Sequence, residues 1–440
     1  MCMKKIVEAI LGWCTKRAIL RDKPTVVAIA GSVGKTSTRN ALTLALASWL
    51  KPEELRTSLK NFNNEIGVPL SVFGHDAPGK NVLKWLAVFW DAFLYAFGFK
   101  HLNVRYLILE MGADHPGDLA YLISIAPPDS VVMTAVGAEH TEYFGTSEKA
   151  IEEELSLLRS LPQDGMCLLN SDDENLWPLK VPTQAECIGF GKNSDSVVRI
   201  LDTKVIYNPE DPESSGLEVE FDILKYISHR LFLKGVYGEG NAYAITAAVL
   251  FMVSNDMMDD KLKPAIKYIQ NNFQGMPGRN RIISGIKKTV ILDDSYNAQP
   301  QAMRMALLDL AHFPVSEGGR RIAALGDMLE LGDLAKDEHE KIGKLAAELK
   351  IDFLVCCGKL AQVIASAAQD AGMLRDRIYK FDNSSEAGLF IQQEILQPND
   401  AVLVKGSQSM RMERITKELM AEPLKAKDLL VRQSEVWQKR

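Results

Sequence analysis

The run Val26-Val27-Ala28-Ile29-Ala30-Gly31-Ser32-Val33-Gly34-Lys35-Thr36-Ser37 constrains this chain more than any other. An apolar, β-branched stretch ends in a glycine-containing turn, and helical sequence from Arg39 to Leu50 follows. A strand feeding such a turn and then a helix gathers backbone N–H groups at the helix start, where they suit the phosphates of a nucleotide. Glycines let that backbone approach, Lys35 adds a point charge near the β- and γ-phosphates, and the Thr36 hydroxyl is a ligand for Mg²⁺. The usual pattern has a glycine five residues before Gly34. Ile29 stands there, so the loop is a variant with shorter glycine spacing. An ordinary glycine-rich turn is the plainer alternative.

The chain has 440 residues, enough for two or three domains, and is 47% hydrophobic and 25% charged, as globular proteins are. Its net charge is −6 and it has no long basic tract, which argues against nucleic acid as a partner. Its cysteines, Cys2, Cys14, Cys167, Cys187, Cys356 and Cys357, form no CxxC or zinc spacing and read as reduced thiols in a cytosol. Residues Met1 to Leu20 carry too many charges for a signal peptide. Met3, Ile6, Ile10, Trp13 and Cys14 recur at helical spacing, so residues 1–24 read as an amphipathic helix.

From 25 to 278, strand-like runs (Tyr106–Glu110, Ser130–Thr134) alternate with helical patterns such as Ser147–Leu161. This predicts an α/β domain built on a parallel sheet. Met276-Pro277-Gly278 reads as a linker. Beyond it, Thr289–Asp293, Arg321–Leu325, Phe353–Cys357 and Ala401–Val404 predict a Rossmann-like α/β domain over 279–440, with a charged helical tail from Glu422. Val82 to Phe99 is nearly all apolar, interrupted by Lys84 and Asp91. Three readings stay open for it: a helix packed on the N-terminal helix, a helix lying in a membrane interface, and a membrane span.

Four clusters fit nucleotide chemistry. Glu110 ends a buried strand where a carboxylate would lie beside Mg²⁺, or else faces water. His140 follows another strand end and is either a ligand or a structural histidine. Arg279, at the linker, has the length to reach a phosphate, though surface arginines are common. Asp293-Asp294-Ser295-Tyr296-Asn297 ends the first strand of the second domain, a place where acids bind ribose hydroxyls.

Taken in order, these clusters resemble the Mur ligase family, most closely its D-alanyl-D-alanine-adding branch. Gly31 to Ser37 looks like the family's ATP loop, and Asn61 to Pro69 like its N-x-N-N-E-I-G-V-P signature. Leu109 to Asp118 is similar to L-E-M-G-x-x-x-P-G-[DE]. Asp293 to Ala298 resembles D-D-S-Y-N-A, Leu325 to Gly332 resembles L-G-D-M-L-E-L-G, and Lys405 to Met410 resembles K-G-S-R-S-M. The resemblance implies that Gly31, Ser32, Val33, Gly34, Lys35, Thr36 and Ser37 hold ATP. It places Asn241 on the adenine side, Arg279 at the phosphates, Asp294 at the ribose, and Asn297 and Ser407 near the amine substrate. Thr36, Glu110 and His140 would hold Mg²⁺.

Three departures stand out. Glu154 occupies the position of a lysine that the family carbamylates, and would supply a carboxylate to the metal site without CO₂. Tyr237 stands where the family has histidine. The family's N-terminal domain, which holds the UDP-sugar part of the acceptor, finds no counterpart in residues 1–24. The implied activity is ATP-dependent ligation through an acyl phosphate, with Lys35, His140, Glu154 and Arg279 as catalytic residues, joining D-Ala-D-Ala to a muramyl-tripeptide precursor in the cytoplasm. Two alternatives remain. One is a lipid-linked muramyl acceptor recruited at the inner membrane face through 1–20 and 82–99. The other is an ATP-binding scaffold that does not ligate.

Overall fold

The computed structural model describes residues 2–58, 62–137, 141–178, 183–257 and 260–438. Two compact units emerge: Met1–Leu201 with Phe221–His229 and Ala242–Asn272, and Asp202–Glu220 with Arg230–Asn241 and Phe273–Arg440. The expected linker at 276–278 lies close to the last passage between them, but the chain passes between the units more than once before it.

The larger sheet has the order β2-β3-β1-β4-β5-β6-β7-β8-β9. Its members are β1 (Thr25–Ala30), β2 (Leu55–Thr57), β3 (Tyr106–Glu110), β4 (Ser130–Met133), β5 (Met166–Asn170), β6 (Glu186–Gly191), β7 (Val198–Ile206), β8 (Gly216–Ile223) and β9 (Ile227–Lys234). Strands β2 through β7 pair in parallel. Strands β1, β3 and β4 are near-continuous apolar runs, as parallel strands covered on both faces must be. The register sets Ile29 beside Glu110 and Ala30 beside Met133, so the carboxyl ends of β3, β1 and β4 converge where the glycine loop begins. Strands β6 to β9 were not anticipated. A period-two signal was present in β8, where buried Leu217, Val219, Phe221 and Ile223 alternate with Glu218, Glu220 and Asp222.

The first helices are α1 (Cys2–Asp22), α2 (Lys35–Ala47), α3 (Gly67–Phe73), α4 (Val82–Ala96), α5 (Asp118–Ile125), short α6 (Thr141–Phe144), α7 (Ser147–Arg159), α8 (Gly240–Ser254) and α9 (Leu262–Asn272). Helix α1 forms as expected, but its buried stripe is Leu11, Cys14, Thr15, Ala18 and Ile19, while Ile6 and Trp13 stay exposed. Helix α4 buries its small residues, Val88, Ala92 and Ala96. The sequence predicts most of Trp85, Phe89 and Phe93 to be buried against Ile6, Ile10 and Trp13; Trp85 and Phe89 are only partly so, and Phe93, Ile6 and Trp13 are exposed, so that expectation is corrected. A close approach of two helices needs small residues between the backbones, and the rings are left outside. Among the described residues no helix is long and apolar enough to cross a membrane, which removes the reading of 82–99 as a span.

The second unit carries the sheet β10-β11-β15-β12-β13-β14, built from β10 (Arg281–Ser284), β11 (Val290–Asp294), β12 (Arg321–Gly326), β13 (Phe353–Cys357), β14 (Ile378–Phe381) and β15 (Ala401–Lys405). Only β10 runs antiparallel to its neighbour; the others pair in parallel. Alternate strand residues supply two cores. Leu292, Leu325 and Leu403 face α10 (Pro300–His312), α11 (Ala335–Glu348) and α12 (Ala361–Asp370). Ile291, Ala324 and Val402 face α13 (Ser384–Phe390) and α14 (Glu413–Leu419). This is a doubly wound sheet. The tail is not one charged helix. It breaks into short turns, and Arg432, at φ 58°, turns inward to pair with buried Glu413 at 2.9 Å.

Candidate active site

The loop after β1 needs its glycines for stated reasons. Gly31 has φ 118°, and a Cβ there would sit 2.4 Å from the Ala135 carbonyl oxygen. Gly34 caps α2 at φ 94°, leaving the first N–H groups of the helix aimed into the loop. Ser32 ties the loop to the segment after β4: its N–H donates to the Ala135 carbonyl at 2.7 Å, and its hydroxyl accepts from the Gly137 N–H at 2.8 Å. The Lys35 ammonium donates to the Gly31 and Ser32 carbonyls, inside the curve of the loop. An incoming phosphate would offer it a stronger, charge-assisted partner at the same place.

Beneath the loop, the buried Thr36 hydroxyl donates to Glu110 Oε2 at 3.3 Å. Sequence reasoning missed the second partner of Glu110. Arg39, one turn further along α2, approaches Oε1 at 2.9 Å, and both side chains are buried. A desolvated carboxylate needs such a partner, because an unpaired buried charge costs several kcal/mol. Thr36 and Glu110 thus form a small, hard oxygen donor set beside the phosphate loop, the chemistry Mg²⁺ takes when phosphate and water complete its shell. Among the described residues no cluster of His, Cys, Asp or Glu forms a metal cage.

Helix α7 separates its neighbouring acids. Glu154 is buried and its Oε2 accepts from the Gly31 N–H at 3.1 Å, so it holds the first turn of the loop. Glu153 points elsewhere and accepts from the Gly117 and Leu119 N–H groups at 3.0 Å, at the start of α5. The segment after β4 is fixed by residues that sequence reasoning also missed. Asp173 Oδ2 accepts from the Val136 N–H at 2.8 Å, and the Asn175 and Asn170 amides donate to the Val136 and Thr134 carbonyls. Asn61 and His140 lie outside the described residues.

In the second unit, Asp294, Asn297 and Ser407 gather at the carboxyl ends of β11 and β15, the edge at which open α/β sheets bind ligands. Lys405 pairs with Asp294 at 2.6 Å and donates to the Asn297 carbonyl at 2.9 Å. The buried Ser407 hydroxyl accepts from the Leu329 N–H at 2.9 Å and donates to the Ala298 carbonyl at 3.3 Å, joining the two signature loops. The Asn297 side-chain oxygen accepts from the Gln408 N–H. Arg279 lies over the Tyr296 ring, 4.3 Å from its centre, and Arg432 stacks on the same ring at 5.5 Å. Asp293 is fully buried, accepts from Thr416 Oγ1 at 2.8 Å and the Gly278 N–H at 3.1 Å, and is pushed up to about 6 by burial. Asn241 is buried and donates to the Tyr237 carbonyl at 2.7 Å. Tyr237 is wholly buried, and desolvation raises its phenol well above the ordinary value.

A phosphate loop at the carboxyl edge of one parallel sheet, with a doubly wound unit after it in the chain, defines a nucleotide-binding α/β protein. Residues 94–252 match the Mur ligase middle domain, and residues 278–408 match the Mur ligase, glutamate ligase domain. The chain belongs to the Mur ligase family. It is 27% identical over 410 residues to the UDP-N-acetylmuramoyl-tripeptide--D-alanyl-D-alanine ligase of Bacillus subtilis, covering 93% of this chain and 79% of that protein. The Escherichia coli enzyme of the same name is 28% identical over 401 residues, covering 90% and 76%. The fold is that of the MurF ligase from Thermotoga maritima in complex with ADP: TM-score 0.72 at 24% identity, covering 94% of this chain and 83% of the other.

Proposed function

We infer that this chain is an ATP-dependent amide ligase that adds D-alanyl-D-alanine to a muramyl-tripeptide precursor in peptidoglycan synthesis, in the cytoplasm. The observation that carries the reading is the meeting of Thr36 and Glu110 beneath the Lys35 loop. The match to D-alanyl-D-alanine ligases over nine-tenths of the chain supports the choice of substrates. The acceptor carboxylate attacks the γ-phosphorus of ATP and ADP leaves, giving an acyl phosphate. The amine of D-Ala-D-Ala then attacks the acyl carbon, phosphate leaves, and the nitrogen loses a proton.

Each residue has an assigned part. Gly31 to Ser37 hold the phosphates, and Lys35 and Arg279 offset charge on the transferring group. Asn241 serves the adenine side, Asp294 the ribose, and Asn297 and Ser407 the amine. Mg²⁺, held by Thr36, Glu110, His140 and Glu154, would supply charge neutralisation at the β- and γ-phosphates. In the second reading the muramyl acceptor is lipid-linked, and the exposed rings of α4 favour it.

Phosphate release tests the assignment. It should require ATP, Mg²⁺, D-Ala-D-Ala and a muramyl tripeptide together, with UDP-linked and lipid-linked acceptors compared side by side. Lys35→Ala should leave the thermal melt near wild type and remove nearly all turnover. Wild-type rates in that variant, or sustained phosphate release at the full rate without an amine, would sink the ligase reading.

A further inference from the structure

We propose that the outer faces of α1 and α4 form one docking surface for an anionic lipid bilayer, on which both helices lie flat. On α4 the stripe Leu83, Leu86, Trp90, Phe93 and Phe97 follows helical spacing and faces outward, with Leu83 76%, Trp90 68% and Phe97 61% exposed. Trp13 of α1 meets Phe97 at 5.8 Å between ring centres, so the two faces are continuous. Exposed rings in this number form a patch that a monomer in water does not keep without use.

The charges choose the occupant. Lys5, Lys16 and Arg17 on α1 are exposed, as are Lys80 and Lys84 around the start of α4. The acids of these helices are Glu8, Asp22 and Asp91, and each already has a basic partner. Lys4 lies 3.2 Å from Glu8, Arg21 and His101 lie 2.8 Å from Asp22, and His75 lies 3.0 Å from Asp91, which Lys100 also reaches. Those partners hold the Asp22 carboxyl down to about 2 against the cost of its burial. The face is thus aromatic at its centre and net basic at its edge, the composition of helices that settle into a headgroup layer. A second copy of this chain fits less well, because a two-fold contact would set the same basic rim against itself. Helix α4 has 15 residues, about 22 Å at 1.5 Å each, too short for a hydrocarbon core of about 30 Å. It therefore lies along the surface.

This face would hold the enzyme beside a lipid-linked acceptor, a use that rests on the second reading above. Vesicle binding needs neither ATP nor amine, so it succeeds or fails independently of ligation. The full chain is sedimented with vesicles of phosphatidylcholine alone, and of phosphatidylcholine and phosphatidylglycerol in equal amounts. Binding is expected to the mixed vesicles and to weaken with added salt. The double variant Trp90→Glu/Phe97→Glu should lose roughly tenfold or more of its vesicle partitioning with an unchanged melt, and Lys16→Glu/Lys84→Glu should lose preference for the anionic lipid. The proposal is overturned if the chain stays in the supernatant with both vesicles. It is equally overturned if sedimentation velocity finds a dimer that Trp90→Glu/Phe97→Glu dissociates while vesicles capture nothing, since the face would then belong to a second copy.

Discussion

Asp293 sits inside the second unit with both oxygens committed, one to Thr416 and one to the Gly278 N–H. Burial raises its carboxyl from 3.8 to about 6. The folded chain therefore holds this proton more tightly than the unfolded chain. Its stabilising contribution is complete below about pH 4 and is lost as pH rises through about 6. Asp293→Asn should flatten that part of the stability–pH curve, measured as urea midpoints across the window in both proteins. Equal slopes would show that another group sets the dependence. The neighbour Asp294 was legible as a site residue because it ends a strand before a polar loop, and its partner Lys405 lies within a motif already quoted. Arg39 was harder to find: an arginine inside a helix looks like a solvated charge until the strand carrying Glu110 is placed beside it. Long-range pairing of this kind has no local sequence signature.

At the scale of elements, α7 divides two adjacent acids between two tasks, because successive helical residues point about 100° apart. Glu154 faces the phosphate loop and Glu153 holds the start of α5. Glu154→Gln should raise the Mg²⁺ requirement for turnover roughly tenfold or more, as loss of a carboxylate at a metal site does. Activity should not respond to bicarbonate, since the carboxylate is already part of the side chain. Glu153→Gln should instead cost about 0.5–2 kcal/mol of stability, as a lost helix cap does, with the Mg²⁺ titration unchanged. If the two variants exchanged phenotypes, the assignment of Glu154 to the metal would fall. The buried parallel strands were readable because each is an apolar run bounded by a turn. Strands β6 to β9 were not, because half-buried charges such as Glu218 and Glu220 break the runs and only alternation remains. Helix α4 misled for the opposite reason. Its large rings suggested a buried face, whereas the contact side is the narrow stripe of Val88, Ala92 and Ala96.

Over the whole molecule, the sequence suggests a clean cut near Gly278, whereas the second unit also draws on Asp202–Glu220 and Arg230–Asn241. Tyr237 is one of the largest wholly buried side chains, and it sits in the core formed by Leu292, Leu307 and Phe313. Tyr207 packs on Phe313, with ring centres 5.1 Å apart. The backbone follows the same pattern: the Tyr237 N–H donates to the Asn280 carbonyl at 3.0 Å, and the Ile282 N–H donates to the Gly235 carbonyl at 3.0 Å. A fragment that begins at Phe273 keeps the sheet but loses these partners. Deleting a buried aromatic side chain alone costs about 3–5 kcal/mol, comparable to the whole stability of many domains. Residues 273–440 expressed alone should therefore unfold at lower urea than the full chain, and should bind a dye for exposed apolar surface. Tyr237→Ala in the full chain should lower the urea midpoint in the same direction. If the fragment unfolds at the same midpoint, then the strand-like segments before 273 are appendages and the chain divides where its sequence suggests.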